Sequence, residues 1–222
     1  MNSILPPWRS SVARALHRNR SLPNARYVQL ATIDRDHRPK NRTVVFRGWL
    51  EPQSQLKFVV DIRSQKALNL LSGSSSWAEI CWYFPKTREQ FRVSGELVLV
   101  TAKSATGRVT RPVVLGFPQA EHLFKTAECL IDGYCKARQE AWQQMSDSGR
   151  VQFDWATPGA DRSTDPASFN PPQPDEREPL DNFCLLLLKP TAVDHLELRG
   201  EPQSRYRYEL VEDNWIMSVI NP

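Results

Sequence analysis

The chain has 222 residues, of which 40% are hydrophobic, and a formal net charge of +4. This length suits one large domain, and the small excess of basic residues, interspersed with acidic ones, argues against a strong nucleic-acid patch. The longest apolar run, residues 183–188, is too short to cross a membrane. The N-terminus lacks a basic region followed by an apolar run, so we expect no signal peptide.

The four cysteines are scattered and form no C-x-x-C pair. Cys81 and Cys184 lie in apolar, strand-like runs, where a buried free thiol is the expected state. This usage predicts a reducing, cytoplasmic setting and no metal site.

The N-terminal part predicts one helix followed by antiparallel strands. Prolines precede apolar residues at helical spacing, which predicts an amphipathic helix over residues 7–20. Alternating patterns on both sides of a turn-rich stretch indicate a hairpin. A third strand follows without an intervening helix, which favours antiparallel pairing. The predicted strands are 27–33, 42–48 and 56–60, with the turn at 34–39.

The strand that begins at Arg42 carries a second arginine, Arg47, five residues later. In a regular strand these two side chains point to opposite faces. The small β-branched residues between them leave room for a flat ring against the backbone, with an arginine holding an anion beside it. An ordinary strand with charged ends remains the alternative.

A short helix is predicted after residue 61, with Ser64 as its N-cap and Lys66 in its first turn. Free N–H groups, a hydroxyl and an ammonium group together suit an anion. A capped surface helix with a solvated lysine fits the local pattern equally well.

The rest of the chain predicts more strands than helices. Gln90, Arg92 and Ser94 share one face of a long strand, which indicates either a solvated face or a subunit boundary that holds a ligand. Residues 156–181 are irregular and rich in Pro, Asp and Ser, as in a loop, a disordered segment or a lid. About eight or nine strands would close into a barrel. The predicted strands are 77–84, 89–100, 182–188, 193–198, 206–210 and 215–220, and the predicted helices 121–130 and 137–145.

These segments, in this order, resemble the pyridoxamine 5'-phosphate oxidase superfamily of FMN-binding split β-barrels, and most closely its branch of oxidase-related proteins typified by cyanobacterial members. The resemblance covers nearly the whole chain except about 103–136. It implies a single mainly β domain over residues 1–222, a β-barrel with peripheral helices and C-terminal strands over 182–222. It also implies FMN at the interface of a homodimer. The motifs that carry it are R-T-V-V-F-R-G (42–48), S-Q-K (64–66), R-E-Q-F-R-V-S-G (88–95), A-W-Q-Q-M-S (141–146), R-V-Q-F-D-W-A-T-P-G (150–159) and an ending that starts at V-D-H-L-E-L (193–198).

The resemblance implies a cofactor role for particular residues. Arg42 is expected at the flavin phosphate or ribityl chain, and the strand after it along the isoalloxazine ring. The stretch from Ser64 to Lys66 is expected to hold the phosphate, and Gln90 to reach the flavin from the second subunit. The full set of expected cofactor-binding residues is Arg42, Thr43, Val44, Val45, Arg47, Val60, Asp61, Ser64, Gln65, Lys66, Gln90, Gln152, Trp155 and Arg205.

The chain departs from the oxidases at the substrate end. The Arg-Leu-His triplet of the C-terminal turn, which holds the substrate in true pyridoxamine phosphate oxidases, is replaced by residues 201–203, Glu-Pro-Gln. We therefore expect an FMN-dependent oxidoreductase that acts on an unidentified small molecule, with no residue that stands out as acid or base. The alternatives are flavin binding without turnover, true pyridoxamine/pyridoxine 5'-phosphate oxidation and, from another class, a small β-barrel nucleic-acid binder that uses Arg42, Arg47 and Arg92.

Overall fold

The computed structural model describes residues 5–72, 75–103, 112–115 and 124–222, the side chains of residues 103–131 excepted. The chain forms two compact units. Unit 1 comprises Met1–Phe58, Trp77–Leu97 and Leu188–Pro222, and unit 2 comprises Val59–Ser76 and Val98–Leu187.

The described part of the chain contains ten strands. They are β1 (Tyr27–Ile33), β2 (Pro39–Val45), β3 (Trp49–Leu50), β4 (Gln55–Asp61), β5 (Trp77–Phe84), β6 (Glu89–Lys103), β7 (Pro112–Leu115), β8 (Phe183–Glu197), β9 (Ser204–Val211) and β10 (Asn214–Ile220). The pairs β1–β2, β1–β5, β3–β4, β5–β6, β6–β7, β8–β9 and β9–β10 are antiparallel. The helices of the described part are α1 (Arg9–Asn19), α2 (Gln65–Leu71), α3 (Phe124–Gln143) and α4 (Asp147–Arg150), with 3-10 turns at Val151–Asp154 and Pro166–Phe169. No helix among the described residues is both long and apolar enough to cross a membrane.

The strand order is β10-β9-β8-β6-β5-β1-β2, with β3 paired to β4, β4 to β8 and β7 to β6. In unit 1, β6 and β8 approach closely at Gly95, where a Cβ atom would lie 2.0 Å from the carbonyl oxygen of Lys189. Only glycine fits this position without moving the neighbouring backbone.

The core of unit 1 follows the alternation of its strands. Phe46, Trp82 and Phe84 are almost completely buried, and the rings of Phe46 and Trp82 lie 4.8 Å apart. Helix α1 buries Val12, and Trp8 directly before the helix is also buried. Each such side chain stabilises the fold by about 1.5–3 kcal/mol through the apolar area removed from water.

Unit 2 has its own aromatic core. Trp142 on α3 contacts Phe183 with ring centroids 5.0 Å apart, and Phe153 lies 5.0 Å from Phe183. The indole N–H of Trp142 donates to the carbonyl oxygen of Asp175 at 2.9 Å. The Arg138 guanidinium donates to the carbonyl oxygens of Leu180, just before β8, and of Phe183, the first residue of β8. These bonds hold the proline-rich segment against α3.

The antiparallel hairpin, the strand over 77–84 and the N-terminal helix are confirmed. The prediction of separate strands at 182–188 and 193–198 is wrong, because β8 continues through Lys189 and Pro190 as one strand. The helix predicted over 137–145 begins earlier, at Phe124, and residues 121–123 of the prediction for 121–130 lie outside the described residues. The mainly β fold is confirmed.

Candidate functional site

A cavity of about 420 Å³ lies in unit 2, at the corner between β4 and α2. The segment from Gln152 to Phe169 forms its opposite wall. Five of the residues predicted from the sequence line this one cavity, namely Val60, Asp61, Lys66, Gln152 and Trp155.

The corner is organised by an ion pair between Asp61 and Arg63. The Asp61 carboxylate accepts a bond from the backbone N–H of Arg63 at 2.8 Å and two from its guanidinium, at 3.0 and 2.7 Å. The hydrogen bond to Asp61 raises the pKa of Arg63. The same guanidinium donates to the carbonyl oxygens of Trp155, at 3.0 Å, and Phe153, at 3.1 Å. Arg63, which the sequence did not single out, therefore joins the two walls of the cavity.

Ser64 and Lys66 follow directly. Ser64 lies at the N-cap position of α2 as predicted, but its hydroxyl makes no cap bond and instead donates to the carbonyl oxygen of Asp61 at 2.7 Å. The Lys66 ammonium lies 3.4 Å from the Ser64 hydroxyl. Gln65 donates to Asn69 at 2.9 Å, along the helix. Of these three side chains, only Lys66 lines the cavity.

Trp155 has an indole N–H that is buried and has no hydrogen-bond partner in the described part of the chain. A buried donor without a partner costs about 1–3 kcal/mol, which a ligand with an acceptor atom would recover. Gln152 donates to the carbonyl oxygen of Ser148 at 2.9 Å. The Trp155 and Phe169 rings meet edge to face at 6.0 Å.

The predicted residues of the first hairpin belong to unit 1. Arg42 is half-buried, and its Nη1 lies 3.2 Å from Leu30 O and 2.6 Å from Thr32 Oγ1. Burial lowers the pKa of Arg42. Because β2 ends at Val45, Arg47 lies outside the strand, and the predicted opposite-face arrangement within one regular strand is wrong. Of the residues between the arginines, Val44 is buried, Val45 is half-buried and Thr43 hydrogen-bonds to Gln29.

Arg205 on β9 is occupied by an acidic neighbour. Its guanidinium binds the Asp194 carboxylate at 3.0 and 2.8 Å, and Arg92 on β6 donates to the same carboxylate at 2.9 Å. Burial raises the pKa of Asp194, but the hydrogen bonds from Arg205 and Arg92 outweigh it, so the pKa lies below its ordinary value. Gln90 is half-buried on β6, opposite Tyr83 of β5.

A second polar cluster, centred on the buried residues Glu89 and His195 of unit 1, was not predicted. His195 Nε2 lies 2.9 Å from the Glu89 carboxylate, and its ring stacks on Phe91 at 4.0 Å. Arg14 on α1 binds Glu89 at 2.9 Å and reaches Glu197 at 3.5 Å. The histidine and the two carboxylates lie close enough for a metal ion, but the arginine already supplies a cation to both carboxylates, so the cluster fits an ion-pair network.

The unit 2 cavity fits a ligand that combines an anionic group with a flat apolar part. Lys66 supplies a cation and Trp155 an unpaired donor, while Val60, Phe153 and Phe169 supply apolar surface. Phosphate groups prefer such cation and N–H donors. FMN has both a phosphate and a flat ring system, so the donor set is compatible with it.

The chain is thus an antiparallel, mainly β protein with a cavity that is compatible with FMN, and comparison with known proteins identifies its family. Residues 5–101 match the family model for the FMN-binding domain of pyridoxamine 5'-phosphate oxidase. Pyridoxine/pyridoxamine 5'-phosphate oxidase 2 of Arabidopsis thaliana is 30% identical over 225 residues, which cover 100% of both chains.

Two solved structures agree. A pyridoxamine 5'-phosphate oxidase-related, FMN binding protein from Nostoc punctiforme PCC 73102 is 46% identical, with a TM-score of 0.83, and the match covers 99% of this chain and 100% of that one. PhzG from Burkholderia lata 383 shares the fold, with a TM-score of 0.68 at 15% identity over 99% of this chain and 98% of its own. The chain belongs to the pyridoxamine 5'-phosphate oxidase family of FMN-binding split barrels. The predicted resemblance and FMN as the cofactor of this family are confirmed.

Proposed function

We propose that the chain is an FMN-dependent oxidoreductase that acts on a small molecule in the cytoplasm. It works as a homodimer, with residues 1–222 as one FMN-binding domain and the flavin at the subunit interface. The observation that supports this most is the unit 2 cavity, which gathers five residues predicted for the cofactor, among them Trp155 with its unpaired donor. The cysteines whose side chains are described are free thiols, which agrees with a reducing compartment.

Each residue has a distinct part in this proposal. Lys66 and Ser64 bind the phosphate of FMN, with Gln65 beside them, and Arg42 binds its phosphate or ribityl chain. The strand after Arg42 lines one face of the ring. Arg205 lies near the ring; because it shares the Asp194 carboxylate with Arg92, the three groups together carry one net positive charge. The remaining contacts are Thr43, Val44, Val45, Arg47, Val60, Asp61, Gln90, Gln152 and Trp155.

Bound FMN supplies the hydride- or electron-transfer chemistry, and the protein supplies position and electrostatics. Asp61 is the carboxylate of the β4–α2 corner, and Arg63 holds it in an ion pair, so both of its oxygen atoms already accept hydrogen bonds from the protein. Arg63 also fixes the carbonyl groups of Phe153 and Trp155. These contacts give the cavity a rigid wall before any ligand enters.

The test is a visible absorption spectrum of the purified protein, followed by identification of the flavin released on denaturation. We expect a yellow protein that releases one FMN per chain. A colourless protein that also fails to take up added FMN would contradict the proposal. Reduction of the bound flavin by candidate substrates without oxygen, and its reoxidation, then measures turnover; a flavin that no substrate reduces would favour binding without turnover.

A second candidate is oxidation of pyridoxamine 5'-phosphate, because the Arabidopsis relative that carries this name matches the chain over its full length. The turn at residues 201–203, Glu-Pro-Gln, favours a different substrate, since the oxidases hold theirs there with Arg-Leu-His. Formation of pyridoxal 5'-phosphate by the FMN-loaded protein tests this directly. Nucleic-acid binding has less support, because Arg92 is paired with Asp194.

A further inference from the structure

The segment that was expected to be a loop, a disordered excursion or a lid closes on itself in unit 2. The N–H of Ala156 donates to the carbonyl oxygen of Ser168 at 3.0 Å, and the hydroxyls of Ser163 and Ser168 lie 2.9 Å apart. Asp165 accepts a bond from the N–H of Ala167 at 2.9 Å and so caps the 3-10 turn. Residues 156–169 therefore form a hydrogen-bonded loop, and most of them line the cavity.

This loop presents one arginine on an aromatic ring. The guanidinium carbon of Arg162 lies 4.1 Å from the centroid of Phe169, over its face, and both residues line the cavity. The Phe169 ring also packs edge to face with the Trp155 ring, with the ring centroids 6.0 Å apart. A stacked guanidinium keeps its N–H donors directed along its own plane, and stacking reduces the entropy lost when those donors bind.

The donors of Arg162 have no partner among the residues that the structure describes, since no hydrogen bond or ion pair there involves them. Two carboxylates also line the cavity. Asp61 is already paired with Arg63, while Asp161 and Arg162 are both exposed. Lys66 from α2 and Arg162 from the loop both line the cavity, and a phosphate group prefers such cationic donors.

We propose that Arg162, held by Phe169, recognises the phosphate group of a ligand in the unit 2 cavity, and that the 156–169 loop is therefore part of the binding site. This inference rests on the proposed function. Two ligands carry the required chemistry, the FMN cofactor and a phosphorylated substrate, and the experiment below distinguishes them.

The experiment compares Arg162→Ala, Arg162→Lys and Phe169→Leu with the matched control Arg177→Ala, which removes an exposed arginine of the same proline-rich segment that does not line the cavity. Flavin-free protein is titrated with FMN and with riboflavin, which lacks the phosphate. If Arg162 binds the cofactor, Arg162→Ala raises the Kd for FMN by roughly ten- to a hundredfold and leaves the Kd for riboflavin unchanged. Arg162→Lys and Phe169→Leu raise the Kd for FMN by a smaller factor, and Arg177→Ala leaves it unchanged.

If Arg162 binds the phosphate of a substrate, the Kd for FMN stays unchanged in Arg162→Ala. Inorganic phosphate then perturbs the flavin spectrum of the FMN-loaded wild-type protein and not that of the variant. Equal weakening of FMN and riboflavin would overturn the inference, as would unchanged FMN binding together with a phosphate response that is absent or identical in both proteins. Failure of the wild-type chain to bind FMN at all would instead overturn the proposed function.

Discussion

The two units each contain a group of interacting charged side chains, and the two groups differ in what their charges contact. In unit 1, Arg14, Glu89, His195 and Glu197 contact one another, and the side chain of Glu89 is only 6% exposed. In unit 2, one ion pair, Asp61 with Arg63, builds the corner, while donors on neighbouring residues face a cavity.

This difference separates a structural role from a binding role for the same residue types. A carboxylate whose lone pairs are all used within the protein stabilises the fold and has little left for a ligand. The unit 2 site has both kinds of residue side by side, because Arg63 makes all its bonds to protein atoms whereas Arg162 makes none in the described residues. Replacement of single residues of each group tests this division.

The largest effect is expected for Arg63→Leu. This change leaves the Asp61 carboxylate, 10% exposed, with a single backbone donor and removes the donor to the carbonyl groups of Phe153 and Trp155. Loss of one partner of a mostly buried ion pair should lower the free energy of unfolding by about 3 kcal/mol, as measured by urea denaturation. Arg35→Leu, at an exposed position of the first hairpin turn, is the control. Equal stability of the two variants would show that the pair does not hold the corner.

The next effect concerns binding rather than stability. Lys66→Glu replaces the cation of the α2 wall by an anion, and we expect the Kd for FMN to rise about a hundredfold or more, because a charge-assisted bond is lost and repulsion is added. Flavin fluorescence quenching measures the Kd, and circular dichroism checks the fold. Lys136→Glu, on the exposed face of α3, is the matched control. An FMN affinity equal to that of this control would remove Lys66 from the proposed phosphate site.

A smaller effect, on stability alone, is expected for Glu89→Gln. Burial raises the pKa of Glu89, but its bonds to His195, Thr87 and Arg14 outweigh this and hold the pKa below its ordinary value of 4.5. A carboxyl with a lowered pKa in the folded state stabilises the protein fully above its ordinary pKa and loses this contribution as the pH falls through the folded value.

Glu89→Gln should therefore cost about 2 kcal/mol at pH 7, and the difference from wild type should shrink as the pH falls below 4.5. Urea denaturation at a series of pH values measures this, with Glu209→Gln on the exposed side of β9 as the control. A loss that stays constant from pH 7 to well below 4.5 would contradict the ionic role of Glu89. FMN affinity should not change.

The sequence predicted the parts of this arrangement that depend on local patterns. Alternation and turn residues predicted the hairpin of β1 and β2 and the strand over 77–84, and the strand end followed by Ser64 and Lys66 predicted the corner. Lys189 and Pro190 follow an apolar run and suggested that the strand ends there, but β8 continues through both residues.

The residues that were missed act over long distances in the chain. Arg63 matters because its partners, the carbonyl groups of Phe153 and Trp155, lie 90 and 92 residues away, and a backbone acceptor leaves no mark in the sequence. The pairing of Arg162 with Phe169 depends on the closure of the loop between Ala156 and Ser168. Composition describes that segment only as irregular.

The smallest effect is expected for the Ser64 hydroxyl, which has either a structural or a phosphate-binding role. Ser64 donates to the carbonyl oxygen of Asp61 at 2.7 Å, and Ser72, at the other end of α2, donates to the carbonyl oxygen of Asn69 at 2.8 Å. Ser64→Ala and Ser72→Ala should each lower the free energy of unfolding by about 0.5–1 kcal/mol, since each removes a bond from a serine hydroxyl to the carbonyl oxygen three residues earlier.

The two serine variants should differ only in their affinity for FMN. If the Ser64 hydroxyl turns from the Asp61 carbonyl group to the phosphate, Ser64→Ala raises the Kd for FMN roughly three- to tenfold, by the net value of one hydrogen bond, and Ser72→Ala leaves it unchanged. Equal FMN affinity in the two variants would assign Ser64 to the scaffold together with Asp61 and Arg63. Lys66 and the loop arginine would then be the phosphate-binding groups of the unit 2 cavity.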